Sequence, residues 1–193
     1  MENVLNFLNL DKIIILPSSN PPHKVNKQKT EADLRIEMVK RAIKDNPRVE
    51  LSTYEARNND IVYTHETLDY FKKTYPYDEF YYIMGEDSFM SIDTWKNYNK
   101  ILNDKLIVFT RSNTNADSEL VKKVNEIRKD NEQIFLINNL NINISSTLIR
   151  KLVKEGKSIK YLVKDEVLDF IKEHNLYVWF RKLGRQINCR NRS

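Results

Sequence analysis

The sequence predicts a doubly wound α/β fold around a mostly parallel sheet, and three observations carry that expectation. Short strand-like runs, several of them apolar and β-branched, recur along the chain at 12–16, 49–52, 80–84, 105–110 and 134–137. Between them, apolar residues fall at helical spacing, as do Leu34, Met38, Val39 and Ala42. Strand-like and helix-like runs therefore alternate from end to end, which is the order of strand–helix–strand crossovers in a parallel sheet.

Each element has a local reason. The run 12–16 is closed by Pro17, as a short buried parallel strand would be. Pro21 and Pro22 mark a loop, and Thr30 is the expected cap of a helix over 30–43. A second strand follows at 49–52, then a helix over 64–75 ended by Pro76. The third strand, 80–84, is broken by Gly85, Glu86 and Asp87. The fourth is 105–110, followed by a helix over 118–129 and a fifth strand at 134–137. Helices over 146–155 and 165–174 close the domain.

Composition narrows the function classes. At 193 residues, 40% hydrophobic and 31% charged, the chain has enough material for one substantial core. No apolar run approaches a membrane span, and the N-terminus lacks the basic-then-apolar order of a signal peptide. The single cysteine, Cys189, permits no internal disulfide and suits a reducing compartment, so the expected location is cytoplasmic. The net charge of +5 resides in the tail, because residues 179–193 carry Arg181, Lys182, Arg185, Arg190 and Arg192 and no acidic residue. Residues 1–178 are thus charge-neutral, which argues against a specific nucleic-acid platform. Only Gly85, Gly156 and Gly184 are present, too few and too scattered for a P-loop or a G-x-G-x-x-G fingerprint. His23, His65 and His174 lie far apart and form no zinc pattern.

The stretch Ser145-Ser146-Thr147-Leu148-Ile149-Arg150 reads as a phosphate cradle built without glycine. Ser145 or Ser146 is a good N-cap, and Leu148, Ile149, Leu152 and Val153 continue with helical spacing. A helix start offers free N–H groups and partial positive charge. Three hydroxyls add donors, and Arg150 lies within one turn of the same mouth. Together these suit a phosphate, although the same residues would also make an ordinary capped helix. Open parallel sheets bind ligands at the carboxyl ends of their strands. Here those exits carry Pro17, Asn20, Pro22, His23 and Lys24; Gly85, Glu86, Asp87 and Ser88; Arg111; and the serine-threonine cradle.

These segments resemble, in this order, the bacterial nicotinate-nucleotide adenylyltransferases of the nucleotidyltransferase superfamily. The matching pieces are Asn20-Pro21-Pro22-His23-Lys24, Arg35-Ile36-Glu37-Met38 and Tyr63-Thr64-His65-Glu66-Thr67-Leu68. They continue with Ile83-Met84-Gly85-Glu86-Asp87-Ser88, Trp95, Val108-Phe109-Thr110-Arg111 and residues 144–150. Tyr161-Leu162-Val163 and Asn175-Leu176-Tyr177 match toward the C-terminus. The resemblance spans residues 2–177 and implies a Rossmann-like fold of the nucleotidyltransferase type. It implies transfer of AMP from ATP to nicotinate mononucleotide, giving deamido-NAD and pyrophosphate in NAD biosynthesis, with Mg²⁺ accompanying ATP. By the same resemblance, Gly85, Asp87, Ser145, Ser146, Thr147 and Arg150 would bind ATP. Gly85 would admit a close backbone approach, and Asp87 would accept hydrogen bonds from a ribose. His23, Lys24, Thr64, Trp95 and Arg111 would bind the second substrate, with Trp95 stacked on the pyridine ring and Thr64 offering backbone contacts to its carboxylate.

Two departures accompany the resemblance. The family's opening Gly-Gly-x-Phe-Asp-Pro-x-His-x-Gly-His segment is not present, so no catalytic residue is identifiable and the first central strand of the sheet is expected to be missing, exposing strand edges. The domain is therefore expected over 1–177, incomplete at its N-terminus, with 178–193 a basic, unstructured tail. Residues outside the matched roles have plain expectations. Glu37 and Glu66 should face water or cap, His65 should be an exposed helix residue, and His174 should sit in a last helical turn. The alternatives are a truncated, non-catalytic nucleotide-binding remnant of the same family and an RNA-associated module using the basic tail.

Overall fold

The computed structural model describes residues 1–18, 31–58, 60–110, 118–128, 133–138 and 144–178. Five strands form where the apolar runs lie: β1 (Ile13–Ile15), β2 (Val49–Leu51), β3 (Tyr81–Gly85), β4 (Lys105–Thr110) and β5 (Ile134–Asn138). Every pairing is parallel. β1 pairs with β2, β3 with β4, and β4 with β5. Among the described residues the strands form two sheets, β1-β2 and β3-β4-β5.

Strand alternation places two cores on opposite faces of the larger sheet. Leu106 and Val108 of β4, Ile134 of β5 and Met84 of β3 face one core. Ile107 of β4 and Ile137 of β5 face the other. The first core is covered by α3 (Thr64–Thr74), α4 (Glu86–Met90), a 3-10 turn (Ile92–Thr94), α5 (Tyr98–Leu102) and α6 (Glu119–Arg128), through Leu68, Phe89, Ile92, Ile101, Leu120 and Val124. The second is sealed by Val4 and Leu5 of α1 (Glu2–Phe7) together with Ile13 of β1. Helix α2 (Ala32–Ile43) crosses between β1 and β2 and buries Ile36 and Ile43.

The sequence reading located each long helix within a few residues. Thr30 lies outside the described residues, and Glu31 occupies the N-cap of α2. Gly85 ends β3 rather than following it, and α4 begins at once with Glu86. Periodicity gave no hint of α4, the 3-10 turn or α5, because segments of three to five residues are too short to show a period.

The chain divides into two compact units, Met1–Ile142 and Asn143–Ser193. The second unit contains α7 (Ser146–Lys154) and α8 (Asp165–Glu173), which bury Ile149, Val167, Phe170 and Ile171. His174 follows α8 as its C-cap and places its ring Nδ1 3.1 Å from the Phe170 carbonyl oxygen. The tail 179–193 lies outside the described residues. None of the described helices is long and apolar enough to cross a membrane.

Among the described helices, three end in a left-handed residue, and two of those residues are asparagine. Asn9 (φ 50°) and Asn175 (φ 48°) take the left-handed position after α1 and α8, and Gly156 (φ 70°) does so after α7. Each is followed by a residue donating back across the helix end: Leu10 to the Leu5 carbonyl, Lys157 to Leu152, and Leu176 to Ile171.

Arg48 reinforces the first of these ends. Its guanidinium donates to the carbonyls of Leu10 at 2.5 Å, Leu5 at 3.3 Å and Asp11 at 3.5 Å, and to Asn6 Oδ1 at 3.4 Å. One side chain just before β2 thus satisfies α1 and the turn into β1. Replacing it by alanine (Arg48→Ala) is expected to lower unfolding stability by about 1–2 kcal/mol, read from the urea midpoint of the whole chain. A midpoint equal to that of the unmodified chain would show that water replaces these bonds without loss.

Candidate functional site

In the first unit, the start of α3 and the loop after β3 are built against each other. The Tyr63 N–H donates to Glu66 Oε2 at 2.9 Å, so a carboxylate inside the first turn caps the helix from within. The Glu66 and Thr67 amides donate to the Tyr63 carbonyl, which leaves the Thr64 and His65 N–H groups without a helical acceptor. Trp95 is half-buried at the end of the 3-10 turn, its N–H donating to the Ile92 carbonyl at 2.9 Å. Tyr82 of β3 joins the two. Its ring meets the Trp95 indole edge-on, with centroids 6.5 Å apart, and its phenol shares a hydrogen bond with the Thr64 side chain. Burial pushes the Tyr82 phenol up in pKa, and the Thr64 hydrogen bond opposes this.

The Trp95 turn is pinned from behind. Lys123 of α6 donates to the Met90 carbonyl at 2.6 Å and to Asp93 Oδ1 at 3.2 Å, and this ammonium holds the Asp93 carboxyl below the usual range. Thr94 Oγ1 donates to the Ser91 carbonyl at 2.7 Å. Ahead of Trp95, Lys96 places its ammonium 4.0 Å from the Tyr63 ring centroid, and Asn97 Nδ2 lies 3.0 Å from His65 Nε2.

The exit of β3 carries the remaining residues expected in this unit. Gly85 caps α4 in extended geometry, with φ −84° and ψ 159°. A Cβ placed there would meet nothing within 4 Å, so glycine is not demanded by backbone strain or by crowding from the protein itself. Asp87 is exposed in the first turn of α4, and its carbonyl accepts from Ser91 Oγ at 3.1 Å.

In the second unit, Ser145 is the cap of α7: its Oγ accepts from the Leu148 N–H at 3.1 Å, and its carbonyl accepts from the Ile149 N–H. That choice settles the Ser145-or-Ser146 alternative and leaves the Ser146 and Thr147 amides without a helical acceptor. Ser146, Thr147 and Arg150 are exposed along the same opening turn, while Ile149 turns inward. His23, Lys24 and Arg111 lie outside the described residues.

One expectation is corrected. His65 was read as an exposed helix residue, yet only 7% of its surface is accessible. It shares the inward face of α3 with Leu68, three residues on, and that spacing was the signal available in the sequence. Sequence reading also missed Tyr82, Asn97 and Glu55. Glu55 is partly buried and accepts from Thr67 Oγ1 at 2.8 Å. Glu37 pairs with Arg41 one turn away at 3.0 Å.

Residues 1–152 match the model of the cytidylyltransferase-like family, so the chain belongs to that class of nucleotidyltransferases. The probable nicotinate-nucleotide adenylyltransferase of Clostridium acetobutylicum is 42% identical over 172 residues, covering 89% of this chain and 86% of the relative. That of Clostridium novyi is 38% identical over 171 residues, covering 88% and 86%. The chain is a member of the nicotinate-nucleotide adenylyltransferase family. Among solved structures, the Plasmodium falciparum nicotinic acid mononucleotide adenylyltransferase complexed with NaAD superposes with a TM-score of 0.70 at 22% identity, over 91% of this chain and 89% of that one. The same enzyme complexed with APC gives 0.68 at 21% identity, with the same coverage. These two establish likeness of fold.

Burial raises the pKa of Glu55, against the lowering effect of the Thr67 hydrogen bond. A carboxyl with a raised folded-state pKa destabilises the fold wherever it is ionised there. That penalty is full above the folded pKa and fades as pH falls toward the ordinary value of 4.5. Glu55→Gln should therefore stabilise the chain at neutral pH, with the gain vanishing in acid. Thermal unfolding compared at neutral pH and below the ordinary glutamate pKa measures it, and a gain independent of pH would refute the assignment.

Proposed function

We infer that this chain transfers AMP from ATP to nicotinate mononucleotide, forming deamido-NAD and pyrophosphate. The observation that carries this reading is the joining of Trp95 to the start of α3 through Tyr82, within a member of this family. An indole offers a face to a pyridinium ring, and free N–H groups at a helix start offer an anion site for its carboxylate. Trp95 stacks on the ring in this reading, and the backbone at Thr64 receives the carboxylate. His23, Lys24 and Arg111 are the proposed partners of the mononucleotide phosphate.

The reaction is an in-line displacement. A 5′-phosphate oxygen of the mononucleotide bonds to the α-phosphorus of ATP as the bond to the bridging oxygen breaks, and that electron pair leaves with pyrophosphate. No covalent intermediate on the protein is required. The protein's part is to hold the two phosphates in line and to meet charge on the departing pyrophosphate. Arg150 and the amides and hydroxyls of Ser145, Ser146 and Thr147 are assigned that task, with Gly85 leaving room for the nucleotide and Asp87 accepting from its ribose. Mg²⁺ enters as part of the substrate, bound to the ATP phosphates. Among the described residues, no group of three or more His, Cys, Asp or Glu side chains could hold the ion by itself.

The deciding assay is pyrophosphate release from Mg-ATP plus nicotinate mononucleotide. It is run on this chain and on a form extended upstream by the Gly-Gly-x-Phe-Asp-Pro-x-His-x-Gly-His segment. Release that depends on both substrates in either form supports the reading, and none in both forms removes it. In the active form, Trp95→Ala should raise KM for the mononucleotide about tenfold with KM for ATP little changed. Arg150→Ala should lower kcat/KM for ATP about tenfold or more. Equal losses for both substrates in either variant would contradict the division of roles.

A further inference from the structure

His65 is buried, and its Nδ1 nitrogen has no hydrogen-bond partner among the described residues. An apolar side chain at this point of α3 would fill the space without leaving a polar atom unpaired, so the fold itself gains nothing from an imidazole. The other ring nitrogen has one partner. Nε2 stands 3.0 Å from Asn97 Nδ2. With the amide donating, Nε2 accepts and the ring proton resides on Nδ1.

Asn97 is itself held in an uncommon state. It takes left-handed backbone angles, φ 53° and ψ 37°, at the N-cap of α5, and its carbonyl accepts from the Lys100 N–H at 2.9 Å. It lies two residues after Trp95, while His65 lies one residue after Thr64. The neighbouring pair repeats the pattern, with Lys96 over the Tyr63 ring at 4.0 Å. Residues 96 and 97 thus clasp residues 63 and 65, on either side of Thr64. Tyr82 spaces the indole from the helix start on the remaining side.

We propose that the His65–Asn97 contact is a latch that positions Trp95 against the free N–H groups at the start of α3 and so sets affinity for the pyridine mononucleotide. Both residues act through Trp95 and are positioning residues. The inference rests on the functional reading given above, since that reading names the ligand. The physical argument is geometric: an indole face and a pair of amides grip one planar ring with its carboxylate only at one separation. Lys123 pins the Trp95 turn from the side of α6, and the His65–Asn97 contact is what ties the following residues to α3.

The test uses the full chain with Trp179→Phe, so that Trp95 is the remaining one of its two tryptophans. Nicotinate mononucleotide is titrated against Trp95 emission, and ATP affinity is measured in parallel. His65→Leu keeps the burial and removes the acceptor. Asn97→Gly keeps the left-handed backbone and removes the amide. Each is expected to weaken mononucleotide binding about tenfold while leaving ATP binding unchanged, and the double variant should be no weaker than either single one. His65→Gln, which restores an acceptor, should recover most of the affinity. Unchanged affinity in both single variants, or losses that multiply in the double, overturns the latch. Should His65→Leu fail to fold, Asn97→Gly and His65→Gln decide the matter by the same criteria. If the unmodified protein does not bind the mononucleotide, the functional reading falls, and the latch is judged separately from ligand-free emission. A common red shift in Asn97→Gly and His65→Leu upholds the contact, and an unaltered spectrum removes it.

Discussion

The alternation of side chains along β4 is the constraint on which the rest of the first unit depends. Leu106, Ile107 and Val108 are three consecutive residues with no accessible surface. Because successive strand residues point to opposite faces, the outer two belong to one core and the middle one to the other. Full burial of such side chains contributes roughly 1.5–3 kcal/mol each, so this short run stabilises both layers at once. It also fixes register. A slip of one residue would turn Ile107 toward the helices of the first core and expose Leu106 and Val108 to the second, exchanging two tightly filled environments. β3 and β5 are aligned by the same rule, with Tyr82 and Met84 on one side and Tyr81 and Ile83 on the other. The position of Tyr82, and with it the approach of Trp95 to Thr64, is therefore a consequence of how β4 packs.

The smaller sheet is joined by a different kind of interaction. β1 is three residues long, and its pairing with β2 alone would make a marginal element. Helix α1 supplies what is lacking, since Val4 and Leu5 lie in the same apolar cluster as Ile13 of β1 and Ile107 of β4. A helix of six residues is in turn too short to persist in water by its own hydrogen bonds. It persists here because its carbonyl end is occupied, by the Leu10 amide and by the Arg48 guanidinium. The order of dependence runs from Arg48 to α1 and from α1 to β1.

Much of this was legible in the sequence, and the division between legible and hidden follows the range of the forces involved. The strands announced themselves because burial on both faces demands continuous apolar runs. The cap at Ser145 was readable because its partner, the Leu148 amide, lies three residues away. The Trp95 surroundings were not readable in the same way. Tyr82, Thr64, His65 and Asn97 come from a strand, a helix and an irregular turn, and only the closed fold brings them together. His65 shows the limit most clearly. Its class suggests exposure, its spacing from Leu68 suggests burial, and its one polar partner is a donor 32 residues away. The short helices between 86 and 102 were hidden for another reason, because they are held by tertiary contacts of Phe89, Ile92 and Ile101 rather than by helical propensity.

The charge pattern around the start of α3 adds a condition on what can bind there. An anion seated on the Thr64 and His65 amides would lie close to acidic side chains, and two free carboxylates would cancel the attraction of the helix terminus. Neither is free. Glu66 spends its carboxylate on the Tyr63 amide, and Glu55 takes the Thr67 hydroxyl in a partly buried setting that favours its neutral form. The Lys96 ammonium over Tyr63 adds the only nearby cation on this edge among the described contacts. The helix start therefore keeps its affinity for an anion although two of the five residues that contribute these contacts are acidic in sequence. In the proposed reading, a ligand carrying a neutral amide in place of the carboxylate forgoes this attraction.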